Sequence, residues 1–207
     1  MSGPPNPFSQ GDQPQGPQGP QGPQEPQQQG HFSARVPERV KTGVYCTAQV
    51  IHDSPKEFVI DFMQGLTRPF QVVARVVITP ATMAEFIAAY EKNVENFTKQ
   101  FGTPAAPPQP PQDRKPSIEE IYEHYKIAED MQSGVYANTV LMGHSATEFF
   151  FDFITGFYPT PSVAARVILP APQGPRFLNT LKGSLQQYQQ RYLKPPEPPP
   201  GGSPPST

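Results

Sequence analysis

The chain has 207 residues, a net charge of −2 and 30 prolines, which is about three times the usual proline share. Its one cysteine, Cys46, excludes an internal disulfide framework and leaves too few thiols for a cysteine zinc cluster. No apolar run approaches the roughly 18 residues of a membrane-spanning helix, no secretory signal is visible, and the near-neutral charge gives no general attraction to nucleic acid, so we expect a cytoplasmic protein without membrane or nucleic-acid partners.

The prolines are concentrated in three tracts with little apolar content. Such segments cannot bury enough surface to offset the entropy of ordering, and we predict two disordered tails and a disordered linker. Three Gly-Pro-Gln triplets in the first tract are too few for a collagen triple helix. The predicted organisation is a tail at 1–30, a first domain at 31–102, a linker at 103–116, a second domain at 117–194 and a tail at 195–207.

The first domain reads as three strands followed by a helix. We predict strands over 44–52, 57–63 and 72–79, with a turn at Ser54-Pro55 between the first two. A helix begins at Thr79-Pro80, because a capping hydroxyl precedes proline in the first turn and apolar residues follow at helical spacing. Alternation places Phe58, Ile60 and Phe62 on one face of the second strand, Glu57, Val59 and Asp61 on the other, and Val72, Ala74, Val76 and Ile78 together on the third strand.

The second domain repeats the first at a shift of 91 residues, without a gap over nearly sixty residues. We predict that its helix begins later, because Pro172 and Pro175 crowd the start. The capping box of Ser117 and Glu120 predicts a further helix at about 117–131. This helix has no counterpart in the first domain. The repeat signature is Gly43, Tyr45, Ser54, Glu57, Phe58 and Phe62 in the first copy and Gly134, Tyr136, Ser145, Glu148, Phe149 and Phe153 in the second.

The predicted fold class is therefore α+β, with two tandem β-β-β-α repeats. A repeat of this size has a marginal core, and one helix can cover only one face of its sheet. Phe149, Phe151 and Phe153 need one covered face, whereas Phe150 points the other way. We therefore predict that the two repeats pair as a pseudo-twofold intramolecular dimer, with the two Gly-Val-Tyr segments in equivalent environments.

The repeats resemble the bacterial and archaeal domain-of-unknown-function family numbered three-four-six-seven. The resemblance rests on Gly134-Val135-Tyr136, His144-Ser145, Glu148-Phe149 and Asp152-Phe153, and on the matching residues of the first copy. The family usually has one copy per chain and a Ser-Pro or Thr-Pro before the helix, which Thr79-Pro80 matches and the second copy does not. The resemblance implies an architecture and no mechanism.

Cysteine and histidine give no clear catalytic pattern. Cys46, His52 and Asp53 could suggest a cysteine nucleophile, but Cys46 and His52 would lie some 20 Å apart along one strand, so we predict that Cys46 is a small, partly buried hydrophobic residue. The four histidines, His31, His52, His124 and His144, lack metal-ligand spacing, and we expect turn or surface positions. A proton-linked switch remains an alternative.

The carboxylates of the second strand have two interpretations. Glu57 with Asp61, and Glu148 with Asp152, could act as acid–base pairs. Counting from the turn, however, Asp61 faces Arg75 and Asp152 faces Arg166, and we predict these as structural cross-strand ion pairs.

We predict a non-enzymatic interaction or assembly module with an unknown protein partner and without metal or cofactor. The alternative is a small-ligand-binding protein or an enzyme that uses the Glu/Asp/Arg strand face. A deep pocket lined jointly by Glu57, Asp61 and Arg75 would favour that alternative. Nucleic-acid binding ranks lower, because the first domain carries eight basic against seven acidic residues and neither domain has a basic cluster.

Overall fold

The computed structural model describes residues 33–106, 117–157 and 159–193. The tails predicted at 1–30 and 195–207, and most of the linker, lie outside these residues. The described part is a mixed α+β structure, and none of its helices combines the length and hydropathy needed to cross a membrane. Its strands and α-helices are β1 Val44–Tyr45, β2 Ala48–Asp53, β3 Phe58–Gln64, β4 Phe70–Ile78, α1 Pro80–Phe101, α2 Ile118–His124, β5 Tyr125–Lys126, β6 Val135–Tyr136, β7 Thr139–His144, β8 Glu148–Thr155, β9 Ser162–Pro170 and α3 Gly174–Tyr188.

The strands form two sheets, and each sheet takes its short outer strand from the other repeat. One sheet has the order β1-β9-β8-β7, and we call it the second-repeat sheet. The first-repeat sheet has the order β2-β3-β4-β5, and β6 also pairs with β4. Val44 and Tyr45 run parallel to Val167 and Ile168, and Val135 and Tyr136 run parallel to Val76 and Val77 at the equivalent register.

The prediction of one continuous strand over 44–52 is wrong. The chain leaves the ladder after Tyr45, because two consecutive amides donate to different sheets. The Cys46 amide donates to the Ile168 carbonyl at 2.9 Å, and the Thr47 amide donates to the Met63 carbonyl at 2.8 Å. The second copy breaks at the same place, between β6 and β7, so the single first strand predicted for each repeat is two strand segments in the structure.

A β-bulge in each repeat moves one residue to the opposite sheet face. Phe62 pairs with Ala74 but Met63 pairs with Val72, which leaves Val73 as the extra residue. Val72 therefore packs with Met63 in a separate outer cluster, and its predicted place on the face of Ala74 is wrong. Ala164 is the corresponding extra residue of the second repeat.

The helices are also exchanged between the repeats across one aromatic core. Tyr90 of α1 packs against Phe149 of β8, with ring centroids 5.5 Å apart. Tyr188 of α3 packs against Phe58 of β3 at 5.1 Å. Phe62 and Phe153 of the two central strands meet at 5.4 Å. Both repeats thus bury their apolar faces in a single core.

The helix predicted at about 117–131 is shorter in the structure. α2 ends at His124, because Tyr125 is extended and begins β5. A 3-10 helix then covers Glu129–Met131, and its equivalent in the first repeat is Glu38–Val40. The β5 pairing of Lys126 also has a counterpart, a parallel bridge between Arg35 and Ser162. Further short segments are a 3-10 helix at Ala171–Gln173, which delays the start of α3, and a π-helix at Gln189–Leu193.

Candidate functional site

Each repeat holds one aspartate–arginine pair across its two long strands. Arg75 donates from Nε and Nη2 to the two carboxylate oxygens of Asp61, at 2.7 and 2.6 Å. Arg166 donates to Asp152 in the same way, at 2.6 and 2.7 Å. These bidentate bonds raise the pKa of both guanidinium groups above their ordinary value.

Both arginines also hold the two repeats together. The remaining terminal nitrogen of Arg75 donates to the Gln132 carbonyl at 2.9 Å, and that of Arg166 donates to the Lys41 carbonyl at 3.1 Å. Gly134 lies against the aliphatic part of Arg75, and Gly43 lies against Arg166, both at positive φ. The glycine of the signature thus provides the conformation and the space that the other repeat's arginine requires.

The two ion pairs differ in what covers them. α2 packs over the first pair, where the Tyr122 hydroxyl donates to Asp61 and His52 Nε2 lies 2.9 Å from the same hydroxyl. The Asp61 side chain is wholly buried, whereas that of Asp152 is 18% exposed. Burial is the largest cause that raises the pKa of Tyr122, and the hydrogen bond to Asp61 raises it further.

The glutamates of the signature belong to turns and not to the aspartate sites. The Ser54 hydroxyl donates to Glu57 Oε1 at 2.6 Å and accepts from the Glu57 amide at 3.3 Å. Ser145 and Glu148 repeat this arrangement at 2.6 and 3.0 Å. The hydrogen bonds from Ser145 and Thr147 lower the pKa of Glu148. Each glutamate therefore stabilises its hairpin turn through hydrogen bonds to the turn serine.

Cysteine and histidine lie apart from one another as well. Cys46 is buried in the core, and burial raises the pKa of its thiol to about 12. His144 packs against Phe97 and lies 3.0 Å from the amide oxygen of Asn93. His124 ends α2, and His31 lies outside the described residues. Within the described ranges, no three His, Cys, Asp or Glu side chains are grouped as metal ligands would be.

A cleft of about 360 Å³ lies between the repeats. The apolar and glycine residues that line the cleft occupy equivalent positions in the two repeats. Arg75 lines this cleft, whereas Glu57 and Asp61 do not. The lining residues are Arg39, Val40, Thr42, Gly43, Val44, Val73, Ala74, Arg75, Asp130, Met131, Gly134, Val135, Ala164, Ala165 and Arg166.

The outer face of the second-repeat sheet carries an apolar row built by both repeats. Phe150 pairs with Ile168, which pairs with Tyr45 of the exchanged strand, and Leu141 lies on the same face. Phe150 is 44% exposed, Leu141 41% and Tyr45 37%. On the outer face of the first-repeat sheet, α2 adds Ile121 and Tyr122 to a cluster that contains Val50, the equivalent of Leu141. The two sheets thus differ in the cover of their outer faces.

Two features of the site were not predicted from the sequence. Tyr122 lies 61 residues from Asp61 in the chain, and no sequence pattern indicates their contact. The cleft depends on the exchange of strands. The sequence does contain one signal for the cleft: Arg39 and Asp130 occupy equivalent positions of the two repeats and carry opposite charges.

The comparisons with known proteins agree with the internal repeat. The model of one family, described as "Protein of unknown function (DUF3467)", matches residues 14–105 and again residues 104–194. No curated protein matches the chain. The two matches cover most of the sequence and confirm the resemblance noted from the repeat signature. The chain therefore belongs to the DUF3467 family and carries two copies of its domain in tandem.

Proposed function

We propose that the two repeats form a pseudo-twofold intramolecular dimer and that this unit is a non-enzymatic interaction module. The exchange of β1 and β6 and the crossed packing of α1 and α3 support the dimer. The bidentate ion pairs support a non-enzymatic role, because they engage the aspartates that acid–base chemistry would need.

One observation carries the interaction role, namely the apolar row of the second-repeat sheet. Exposed apolar residues that adjoin one another mark binding surfaces more often than isolated ones do. Tyr45, Phe150 and Ile168 lie side by side across three strands, with Leu141 next to them. Tyr45 joins the row because β1 of the first repeat pairs with β9 of the second, so the exchanged strand extends the surface.

The occupant that fits this row is an amphipathic helix of a protein partner. The first-repeat sheet provides the template, since α2 lays Ile121 and Tyr122 on the equivalent face and donates a hydroxyl to Asp61. Asp152 is partly exposed at the matching position. A partner helix would place apolar side chains on Phe150 and Leu141 and a hydrogen-bond donor at Asp152.

A photoreactive phenylalanine analogue at position 150 tests this proposal in the native cell. We expect a discrete cross-linked adduct whose partner peptide belongs to an amphipathic helix of another protein. The matched control places the analogue at Leu66, which is 63% exposed on the loop between β3 and β4 and is not part of the row. The same adducts at both positions, no adduct at 150, or an adduct only to residues 1–32 or to a second copy would contradict the proposal.

A further inference from the structure

The cleft between the repeats has a symmetric floor and an asymmetric rim. Its floor consists of small or apolar residues from both repeats, among them Val73, Ala74, Ala164 and Ala165. At the rim, the equivalent positions of the two repeats carry opposite charges, Arg39 and Asp130. A volume of about 360 Å³ falls in the range of small-molecule sites.

The charges at the rim are available to a ligand, unlike those deeper in the cleft. Arg75 and Arg166 are neutralised by Asp61 and Asp152. In contrast, Arg39 is exposed and forms no ion pair or hydrogen bond within the described residues. Asp130 is likewise exposed and forms no ion pair or hydrogen bond in the described part of the chain. The cleft therefore presents an unpaired cation from the first repeat and an unpaired anion from the second.

Neighbouring side chains strengthen this polarity. Beside Arg39, Glu38 and Lys41 form an ion pair at 3.6 Å and cancel each other. Beside Asp130, Glu129 adds a second exposed negative charge. The lining of the cleft thus combines an exposed positive charge at Arg39, an exposed negative charge at Asp130 and small or apolar residues from both repeats.

From this arrangement we infer that the cleft binds a small zwitterion with an apolar body between its two charges. Its anionic group would lie at Arg39, its ammonium group at Asp130, and its apolar chain over the floor that Val73 and Ala164 provide. The site is separate from the apolar row, because no residue of the row lines the cleft. It does not need the partner helix proposed above.

Calorimetry with three eight-carbon probes on the full chain tests the inference. We expect 8-aminooctanoate to bind more tightly than octanoate or octylamine. Arg39→Gln should weaken 8-aminooctanoate and octanoate by about two- to fivefold and leave octylamine unchanged, as expected for exposed charge pairs. Asp130→Asn should weaken 8-aminooctanoate and octylamine to a similar degree and leave octanoate unchanged.

A pair of floor variants separates the cleft from other apolar surfaces. Ala164→Phe should fill the floor and abolish binding, whereas Ala164→Val should preserve it, because valine already stands at the equivalent position 73. Phe150→Ser, which alters the apolar row, should leave all three affinities unchanged. Equal affinities for the three probes, indifference to both rim variants, or loss of binding in Phe150→Ser would overturn the inference. The rim positions are exposed, so these variants keep the test valid if Ala164→Phe does not fold.

Discussion

Asp61 and Asp152 occupy equivalent positions but differ in burial, and this difference determines how much each contributes to stability. Asp61 also accepts the Tyr122 hydroxyl and is wholly buried, whereas Asp152 is partly exposed. Removal of a charge from a buried pair leaves the other charge without a partner, which is costlier than the same change in contact with water.

We therefore expect Asp61→Asn to destabilise the protein by about 3–5 kcal/mol and Asp152→Asn by about 1–3 kcal/mol. Urea denaturation of both variants and of Arg75→Gln and Arg166→Gln measures this. Within each pair the double variant should cost less than the sum of its single variants. Additive costs would show that the aspartate and the arginine do not interact, and equal costs of the two aspartate variants would contradict the role of burial.

The buried thiol of Cys46 should make the stability of the protein depend on pH in the alkaline range. The ordinary thiol pKa is 9.0, and burial raises it to about 12 in the folded protein. Between these values the folded state keeps a proton that the unfolded state has lost, so stability falls as pH rises from 9 towards 12. Cys46→Ala removes this contribution, and Ala137 at the equivalent buried position shows that the smaller side chain fits the fold.

We expect the loss of unfolding free energy between pH 8 and pH 10 to be smaller in Cys46→Ala by on the order of 1 kcal/mol. Paired urea titrations at the two pH values measure this difference. Tyr122 also has a raised pKa, which is common to both proteins and cancels in the comparison. The pKa of Tyr90 is raised mainly by burial, which is common to both proteins, and to a smaller degree by the charge of Cys46, which belongs to the difference being measured. Identical pH dependence of the two proteins would show that the Cys46 thiol is not protected.

At the scale of elements, two glycines lie where the repeats pack closely against each other. Gly43 and Gly134 have φ of 71° and 68°, and an added Cβ would lie 2.9 and 2.8 Å from Cγ of Arg166 and Arg75. Gly183 lies inside α3 and an added Cβ would meet nothing within 4 Å. The same substitution should therefore have opposite effects at the two kinds of position.

Gly43→Ala and Gly134→Ala should each destabilise the protein by at least about 1–2 kcal/mol, because alanine is strained at positive φ and displaces the arginine. Gly183→Ala should stabilise it by about 1 kcal/mol through helix propensity. Thermal unfolding compares the three variants with the parent. A stabilising or neutral change at Gly43 would contradict the close packing of its segment on β9.

How far the sequence predicts these elements depends on the range of the interactions that form them. The duplication was evident because the shift of 91 residues holds without a gap, and the capping box of α2 is a local signal. The prediction that Asp61 faces Arg75 requires only a count of residues from the turn between their two strands. The break after Tyr45 carries no glycine or proline, since it depends on carbonyls of two different sheets. The cleft and the cover by Tyr122 likewise arise only from tertiary packing.

At the scale of the whole molecule, the exchanged strands and helices lead us to expect that neither repeat completes its core alone. A piece comprising residues 31–102 would leave β4 without β6 and would leave the aromatic face of α1 without Phe149. A piece comprising 117–194 would lack β1 and the cover that α1 gives to β8. Each piece would expose apolar surface that the other piece buries in the intact chain.

We expect the two pieces, expressed separately, to be unstable or self-associated and to form a one-to-one complex when mixed. Light scattering measures the masses, and circular dichroism follows the gain of structure on mixing. Gly43→Ala in the first piece should weaken the complex, whereas Gly183→Ala in the second piece should not. Two stable monomers that do not change on mixing would show that the repeats fold independently, because the exchanged strands would then contribute nothing that either repeat requires.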